Sequence, residues 1–368
     1  MATYFKQNKG WSFLIWVINK EGKRVQKRHS GFPTKKLAEL EANKISGKVS
    51  ASTYIEPSAQ TVKEYVWEWF EGHSYAFKQT TIVRYKRNIK GYIVPNLGNI
   101  KLCDLKPVHV QNMIRTMHKN GLKTRTITYA RGVLRKALND AVRLEIIERN
   151  PALYVEIPKG PKYQAQYYNN KEIIQLINIA KGKKILMPIL LGAGLGLRRG
   201  EILGLQWGDI DFDNNIITIK RTISIYKDCE FTITEPKSET SKRQIGIPDF
   251  IAEELMKEMI SRTNSKGIKR IVMDDEFICI NEEGYQYTPS QLSRHFSKLL
   301  ALNNLKHIRF HDLRHSCASL LLKSGVNMKT TSVILGHSSI GITMDLYSHI
   351  DMEQKIDAAS RINNILQL

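Results

Sequence analysis

The chain has 368 residues, and 56 lysines and arginines against 35 aspartates and glutamates leave a formal charge of +21. That length predicts two or three domains, and 42% apolar with 8% aromatic residues is enough to build cores, which excludes wholesale disorder. So large a cationic surplus points to a polyanionic partner, because neutralising phosphates releases condensed counterions.

The longest apolar run, residues 185–197, contains Pro188 and three glycines and falls short of the roughly 20 residues that span a bilayer. No membrane helix is expected. The first ten residues lack the apolar stretch of a secretory signal, so the expected location is the cytoplasm. Cys103, Cys229, Cys279 and Cys317 lie far apart with no CxxC pair, and read as free thiols.

Residues 11–18, rich in aromatic and β-branched types, predict a strand. A second extended stretch, 23–32, follows the turn-like Lys20-Glu21-Gly22, so the N-terminus reads as a hairpin or small sheet. Thr34 is placed to cap a short helix over 35–46, with Ala38, Ala42 and Ile45 on one face. Residues 1–56 hold eleven lysines and arginines against four carboxylates. Lys23, Arg24, Lys27 and Arg28 are the candidate anion contacts of this small basic module.

Next, Val62, Tyr65, Val66, Trp69 and Phe70 trace one apolar helix face, and Ile127, Ala130, Val133, Leu134, Ala137, Leu138 and Ala141 trace another. Between and opposite these stripes stand Arg84, Lys86, Arg87, Lys90, Arg125, Arg131, Arg135 and Lys136. The expectation is an all-helical domain with one basic side over 57–160. Asn150-Pro151 and the stretch from Pro158 to Lys162 read as a linker, a basic tether that would let two basic domains clamp a duplex from opposite sides.

Residues 161–368 are mixed. Helical periodicity appears over 172–179, 251–260 and 292–300, and strand-like alternation over 216–226, 231–234 and 244–247. Past residue 350, Met352, Ile356, Ala359, Ile362 and Ile365 share one face of a terminal amphipathic helix. The fold class expected is multidomain and mainly α with small β-sheets: a small α/β module, a helical domain and a mixed α+β domain.

Three pieces of this last region bear chemistry. In Gly196-Leu197-Arg198-Arg199-Gly200-Glu201 an arginine pair starts a short helix, where guanidinium and free N–H groups both attract a phosphate. In His311-Asp312-Leu313-Arg314-His315, positions 311 and 314 stand about 60° apart on a helix and can face one cleft. A zinc reading of His311 and His315 is disfavoured, because the sequence is HDLRH rather than HExxH and an arginine would repel the cation. The third piece runs from Leu335-Gly336-His337 to Tyr347. A tyrosine ten residues after a histidine is by itself more often a packed side chain with its hydroxyl hydrogen-bonded, and only the combination of the three pieces points to chemistry.

Taken in order, Arg198, Lys237, His311, Arg314, His337 and Tyr347 resemble the catalytic set of the tyrosine recombinases, the phage integrase family. In that family a GLRxxE segment, a hairpin lysine, an HxLRH helix and an LGHss…Y segment follow one another. Here they stand as GLRRGE, EPKSETSKRQIGIP, HDLRH and LGHSSIGITMDLY. The catalytic resemblance covers about 165–368; more loosely, 57–160 is similar to the family's core-binding domain and 1–56 to its arm-binding module.

The resemblance implies a site-specific DNA recombinase that integrates and excises a mobile element through a covalent 3′-phosphotyrosine at Tyr347, without metal, ATP or other cofactor. Arg198 and Arg314 would hold the five-coordinate phosphorus, Lys237 would protonate the departing 5′-oxygen, and His311 and His337 would donate to the phosphoryl oxygens. His311 could also take the tyrosine proton. Lys242 and Arg243 would grip backbone phosphates, and Glu201 would orient a neighbour. Implied partners are double-stranded DNA with core and arm-type sites, a homotetramer on that DNA, in which the terminal helix is exchanged between protomers, and accessory DNA-bending or excision factors.

Rival readings stay open at this point: a metal-dependent nuclease built on Asp209, Asp211 and Asp213, a type IB topoisomerase, and a catalytically silent DNA-binding regulator. The aspartates read better as the polar entry to the Asn214-Asn215 turn. The run Gly192, Gly194, Gly196 is not a dinucleotide fingerprint, since Leu197 stands where a third small residue belongs.

Overall fold

The computed structural model describes residues 2–7, 10–18, 23–51, 54–55, 59–160, 166–225, 231–234, 242–263 and 271–336. Lys237, His337, Tyr347 and the expected terminal helix lie outside the described residues. The chain separates into two compact units, Met1–Lys162 and Tyr163–Leu368.

The first unit opens with an antiparallel sheet of β1 (Thr3–Gln7), β2 (Gly10–Ile18) and β3 (Arg24–Phe32) in that spatial order. β1 adds a strand to the expected hairpin; its five residues pair with β2 from Thr3 opposite Leu14 to Gln7 opposite Gly10. Side chains alternate across the sheet, so Phe13, Ile15 and Val17 face one way and pack on Ala38, Ala42 and Ile45 of α1 (Lys35–Ser50). Thr34 caps α1 by accepting from the Leu37 amide at 3.3 Å, and the helix runs four residues beyond the expected end, through Gly47. The other face of the sheet is left to Trp16, Arg24 and Arg28.

A second core in this unit is built by α2 (Val62–His73), α3 (Gln79–Asn88), α4 (Val94–Leu97), α5 (Pro107–Lys119) and α6 (Thr124–Arg143). The apolar faces expected around Val62 and Ile127 are buried in it. Thr61 and Glu64 form a reciprocal cap at the start of α2. The Trp69 indole donates to Asp140 at 2.7 Å and the Tyr65 hydroxyl to the Ala137 carbonyl at 2.9 Å, which ties α2 to α6. Between α3 and α4 the helix widens to π spacing over Ile89–Ile93. Pro95 supplies the cause: it has no N–H to close the α-helical ladder and its ring crowds the carbonyl of residue 91.

Asn150-Pro151 corrects one expectation. Rather than a linker, it is a packed turn: Asn150 is 3% exposed, donates to Arg135 O at 2.9 Å and Asn139 Oδ1 at 2.7 Å, and caps the turn over Pro151–Leu153. The core extends to Val155 and Ile157 beyond it.

The second unit has one large core. Around it lie α7 (Asn170–Ala180), α8 (Leu186–Gly194), α9 (Arg199–Gly204), α10 (Asp249–Thr263), α11 (Pro289–Leu302), α12 (Asp312–Lys323) and α13 (Met328–Leu335). Two small antiparallel sheets complete it, β4 (Ile210–Asp211), β5 (Ile216–Ile219) and β8 (Arg243–Gly246) in the first, β6 (Thr222–Ile225) and β7 (Phe231–Thr234) in the second. The alternation read over 216–226 is therefore two strands in different sheets. The break falls at Lys220-Arg221, where both side chains turn to buried Asp209 at 3.3 and 2.5 Å.

Asp211 accepts from the Asn214 amide and side chain at 3.0 and 2.8 Å and so builds the turn. The three aspartates form no metal-holding group, and none exists among the described residues. Among the described residues Cys103, Cys279 and Cys317 are free thiols, and no helix is long and apolar enough to cross a membrane.

Candidate active site

The site grows from the start of α9. Arg198 sits at the N-cap in extended conformation; its amide donates to Glu201 Oε2 at 2.9 Å and its guanidinium to Glu201 Oε1 at 2.7 Å. The arginine is thus held through both its main chain and its side chain by one carboxylate three residues on. A second nitrogen of the fork donates to the Gly336 carbonyl just past α13.

α12 brings the next two groups. Arg314, in the first turn of this helix, is 2% exposed and donates from Nη1 to the Gly196 carbonyl at 2.8 Å. Its Nη2 is buried without a partner among the described residues, an N–H pair that needs an anion or acceptor to offset its desolvation. Burial, and then the like charge of Arg198, push the Arg314 guanidinium down to about 9, with Glu201 opposing.

His311 stands immediately before α12, with its ring 5.4 Å from that of His315 and nearly perpendicular to it. Desolvation by the surrounding chain, then His315 and Arg314, hold the His311 imidazole below its ordinary value, although its outer edge remains in solvent. A neutral imidazole offers one donor and one acceptor nitrogen. Asp312 is spent on Arg309, accepting from its amide at 2.9 Å and its guanidinium at 2.7 Å.

Arg243 corrects a second expectation. It is not a surface grip on DNA: its side chain is 7% exposed, with Nη1 and Nη2 at 3.3 and 3.1 Å from the Glu201 carboxylate and Nε at 2.8 Å from the Ile334 carbonyl. Burial alone would raise the Glu201 carboxyl, but Arg243 and Arg198 hold it below the usual carboxylate range. Gly336 lies against this pair with φ +64°, and a Cβ there would stand 2.9 Å from Arg243 Nη1. Sequence reasoning missed Arg243's inward role and Gly336. Their signal is faint, because the partner Glu201 is 42 residues away.

Of the basic residues read as DNA contacts, Arg24 and Arg28 lie on the uncovered face of the first sheet, 5.2 and 5.0 Å over the rings of Trp16 and Phe5. Lys23 is exposed just before β3, whereas Lys27, opposite Ile15 in the register, falls on the face toward α1. In the helical core, Arg84 and Arg125 flank Tyr129 at 5.2 and 5.6 Å from its ring; Tyr129, four residues after Arg125 on α6, was legible by spacing and overlooked. Lys86 reaches over Phe70, and Arg87, Arg135 and Lys242 are exposed. Arg131 is corrected: it turns inward to the carbonyls of Ala152 and Leu153 at 2.8 and 3.5 Å.

Comparison with known proteins places the chain in a family. The phage integrase family model matches residues 166–354, just over half the chain; the phage integrase N-terminal SAM-like domain matches 61–118 and an arm DNA-binding domain 3–49. A tyrosine recombinase XerC-like protein of Caldanaerobacter subterraneus is 27% identical, with 99% of this chain and 98% of that protein covered. Among solved structures, the integrase of transposon Tn1549 in complex with a circular intermediate DNA superposes with a TM-score of 0.70 at 22% identity, covering 82% of this chain and 99% of that one. A lambda integrase tetramer bound to a Holliday junction gives 0.58 at 17% identity, covering 91% and 95%. The chain belongs to the phage integrase family: it is a tyrosine recombinase, an enzyme that transesterifies DNA strands.

Proposed function

We propose that this recombinase cleaves and rejoins its DNA with Tyr347 as nucleophile, and so integrates and excises a mobile element. The observation that carries the reading is Arg314: a buried guanidinium with an N–H pair that has no partner among the described residues, beside Arg198, in a unit whose family acts on phosphodiesters. In the reaction the Tyr347 phenolic oxygen attacks the scissile phosphorus and its proton passes to neutral His311. The bond from phosphorus to the 5′-oxygen breaks, and Lys237 protonates that oxygen. The extra negative charge of the five-coordinate intermediate falls on equatorial oxygens, where Arg198 and Arg314 meet it with His311 and His337 as further donors. The phosphotyrosine keeps the energy of a diester, so a 5′-hydroxyl of another strand reverses the step without ATP, and no step calls for a metal or other cofactor.

The organisation follows. Residues 1–56 would bind arm-type sites through the Arg24 and Arg28 face, 57–160 would grip the core site through the Arg84, Arg125 and Tyr129 face, and 161–368 would do the chemistry. Swapping two duplexes requires four coordinated sites, which favours a homotetramer on DNA, with the tail after Tyr347 exchanged between protomers; accessory bending or excision factors would set direction. The test is a nicked suicide substrate resolved on a denaturing gel, in EDTA. The unaltered chain should form a covalent adduct and Tyr347→Phe none; an adduct from the Phe variant, or footprinting with no adduct from the unaltered chain, refutes the assignment.

A further inference from the structure

Two guanidiniums share one buried carboxylate in the catalytic unit, and a third lies close by. Arg198 and Arg243 both bond to Glu201, which is 3% exposed, and Arg314 lies within the field of all three. Glu201 is needed to aim Arg198, yet a lone carboxylate at that distance would also cancel the charge it aims. Arg243 resolves the conflict. Its two terminal nitrogens meet the two carboxylate oxygens, so Glu201 already has a full counterion.

We infer that Arg243 is a positioning residue for strand cleavage: as the counterion of Glu201 it leaves the charges of Arg198 and Arg314 unspent for the scissile phosphate. Three cations less one carboxylate make two net positive charges, which match a phosphodiester gaining a second negative charge in the transition state. The same side chain binds the Ile334 carbonyl at 2.8 Å, and Gly336 rests on its guanidinium. It therefore also fixes the end of α13, which in the sequence immediately precedes the segment that carries His337 and Tyr347. Arg243 opens β8, six residues after Lys237, so one side chain joins the segments that precede or follow each reacting group. Its burial and its full set of partners place it apart from residues that grip the DNA backbone.

This inference rests on the assignment of Arg198 and Arg314 to the scissile phosphate. The experiment compares Arg243→Gln, Glu201→Gln and the double variant for single-turnover adduct formation on the suicide substrate and for DNA affinity across a salt series. Arg243→Gln should slow cleavage roughly 100-fold while affinity stays within about threefold and the salt slope is unchanged. The double variant should recover about tenfold or more over Arg243→Gln, because removing the carboxylate restores two net charges.

A double variant no faster than Arg243→Gln overturns the inference, as does wild-type cleavage by Arg243→Gln or a salt slope lowered by about one, the mark of a lost phosphate contact. Should circular dichroism show that Arg243→Gln has lost its fold, Arg243→Lys carries the test: it keeps the charge, so a loss below about tenfold supports the inference and a greater one overturns it. Failure of the unaltered chain to form adduct, or adduct from Tyr347→Phe, overturns the site assignment instead.

Discussion

Replacing Arg314 by methionine should stabilise the free protein while abolishing its chemistry. The guanidinium is 2% exposed, and its surroundings lower it from 12.5 to about 9. At about 1.4 kcal/mol per tenfold in proton affinity, that drop corresponds to roughly 5 kcal/mol against the charged form. On the other side stands one charge-assisted hydrogen bond, to Gly196 O at 2.8 Å, worth about 1.5–3 kcal/mol. An apolar side chain of similar volume should thus gain roughly 2–3 kcal/mol, within the about 1–4 kcal/mol found for replaced buried charges. In a unit of this size that raises the melting temperature by roughly 5–10 °C.

Differential scanning calorimetry of the full chain, following the catalytic transition, measures it. Adduct formation should fall by roughly 100-fold or more, and inorganic phosphate should raise the melting temperature of the unaltered chain and leave that of the variant in place. A lower melting temperature in the methionine variant would mean that Arg314 serves the fold, and undiminished adduct would mean that it does not hold the phosphate; either refutes the reasoning.

Gly336→Ala should slow adduct formation more than it lowers stability, because a side chain at φ +64° costs about 1–2 kcal/mol and its Cβ presses on Arg243; an unchanged rate on the suicide substrate would contradict the close approach. His311 and His315 are both held below their ordinary value of 6.5, so between the lowered values and 6.5 the unfolded chain binds more protons than the folded one. The stability they contribute is therefore complete above about 6.5 and is lost as the pH falls further. Melting temperatures from acid to neutral pH should show this, with His311→Asn flattening the profile, and a profile that rises toward acid would be incompatible with it. Arg84→Ala should lower the salt slope of DNA binding by about one. Arg131→Ala should leave that slope alone and cost about 1–2 kcal/mol in urea unfolding for its lost carbonyl bonds; the reverse pattern would exchange their roles.

What could be read from the residues was what a few neighbours decide among themselves. The capping of α1 by Thr34, the stripes of α2 and α6, the helix start at Arg198-Arg199 and the helix that carries Arg314 all depend on spacings of one or two turns. The misreadings share the opposite character. Arg243 and Arg131 are arginines in basic stretches, and only a carboxylate or carbonyls brought from elsewhere in the chain turn them inward. The split of 216–226 into two strands depends on Asp209, a residue outside the alternating pattern itself. Asn150-Pro151 has the composition of a linker and becomes a packed turn because Arg135 O and Asn139 Oδ1 await the asparagine. Pairing of β1 to β2 follows from the register between the strands, which five residues alone do not announce.

The contact of α9 with the β6–β7 hairpin has a consequence for how such an enzyme tolerates change. Gly200 lies so close to β6 that a Cβ would sit 2.4 Å from Thr222 Oγ1 and 2.7 Å from the Ile223 carbonyl. The ruler between the start of α9, where Arg198 stands, and the strand pair whose sequence leads, three residues past β7, to the candidate proton donor is hence mostly main chain, which has no rotamers to reshuffle. Drift in the hydrophobic interior can accumulate without detuning that spacing, whereas a single added methyl at Gly200 would shift it everywhere at once.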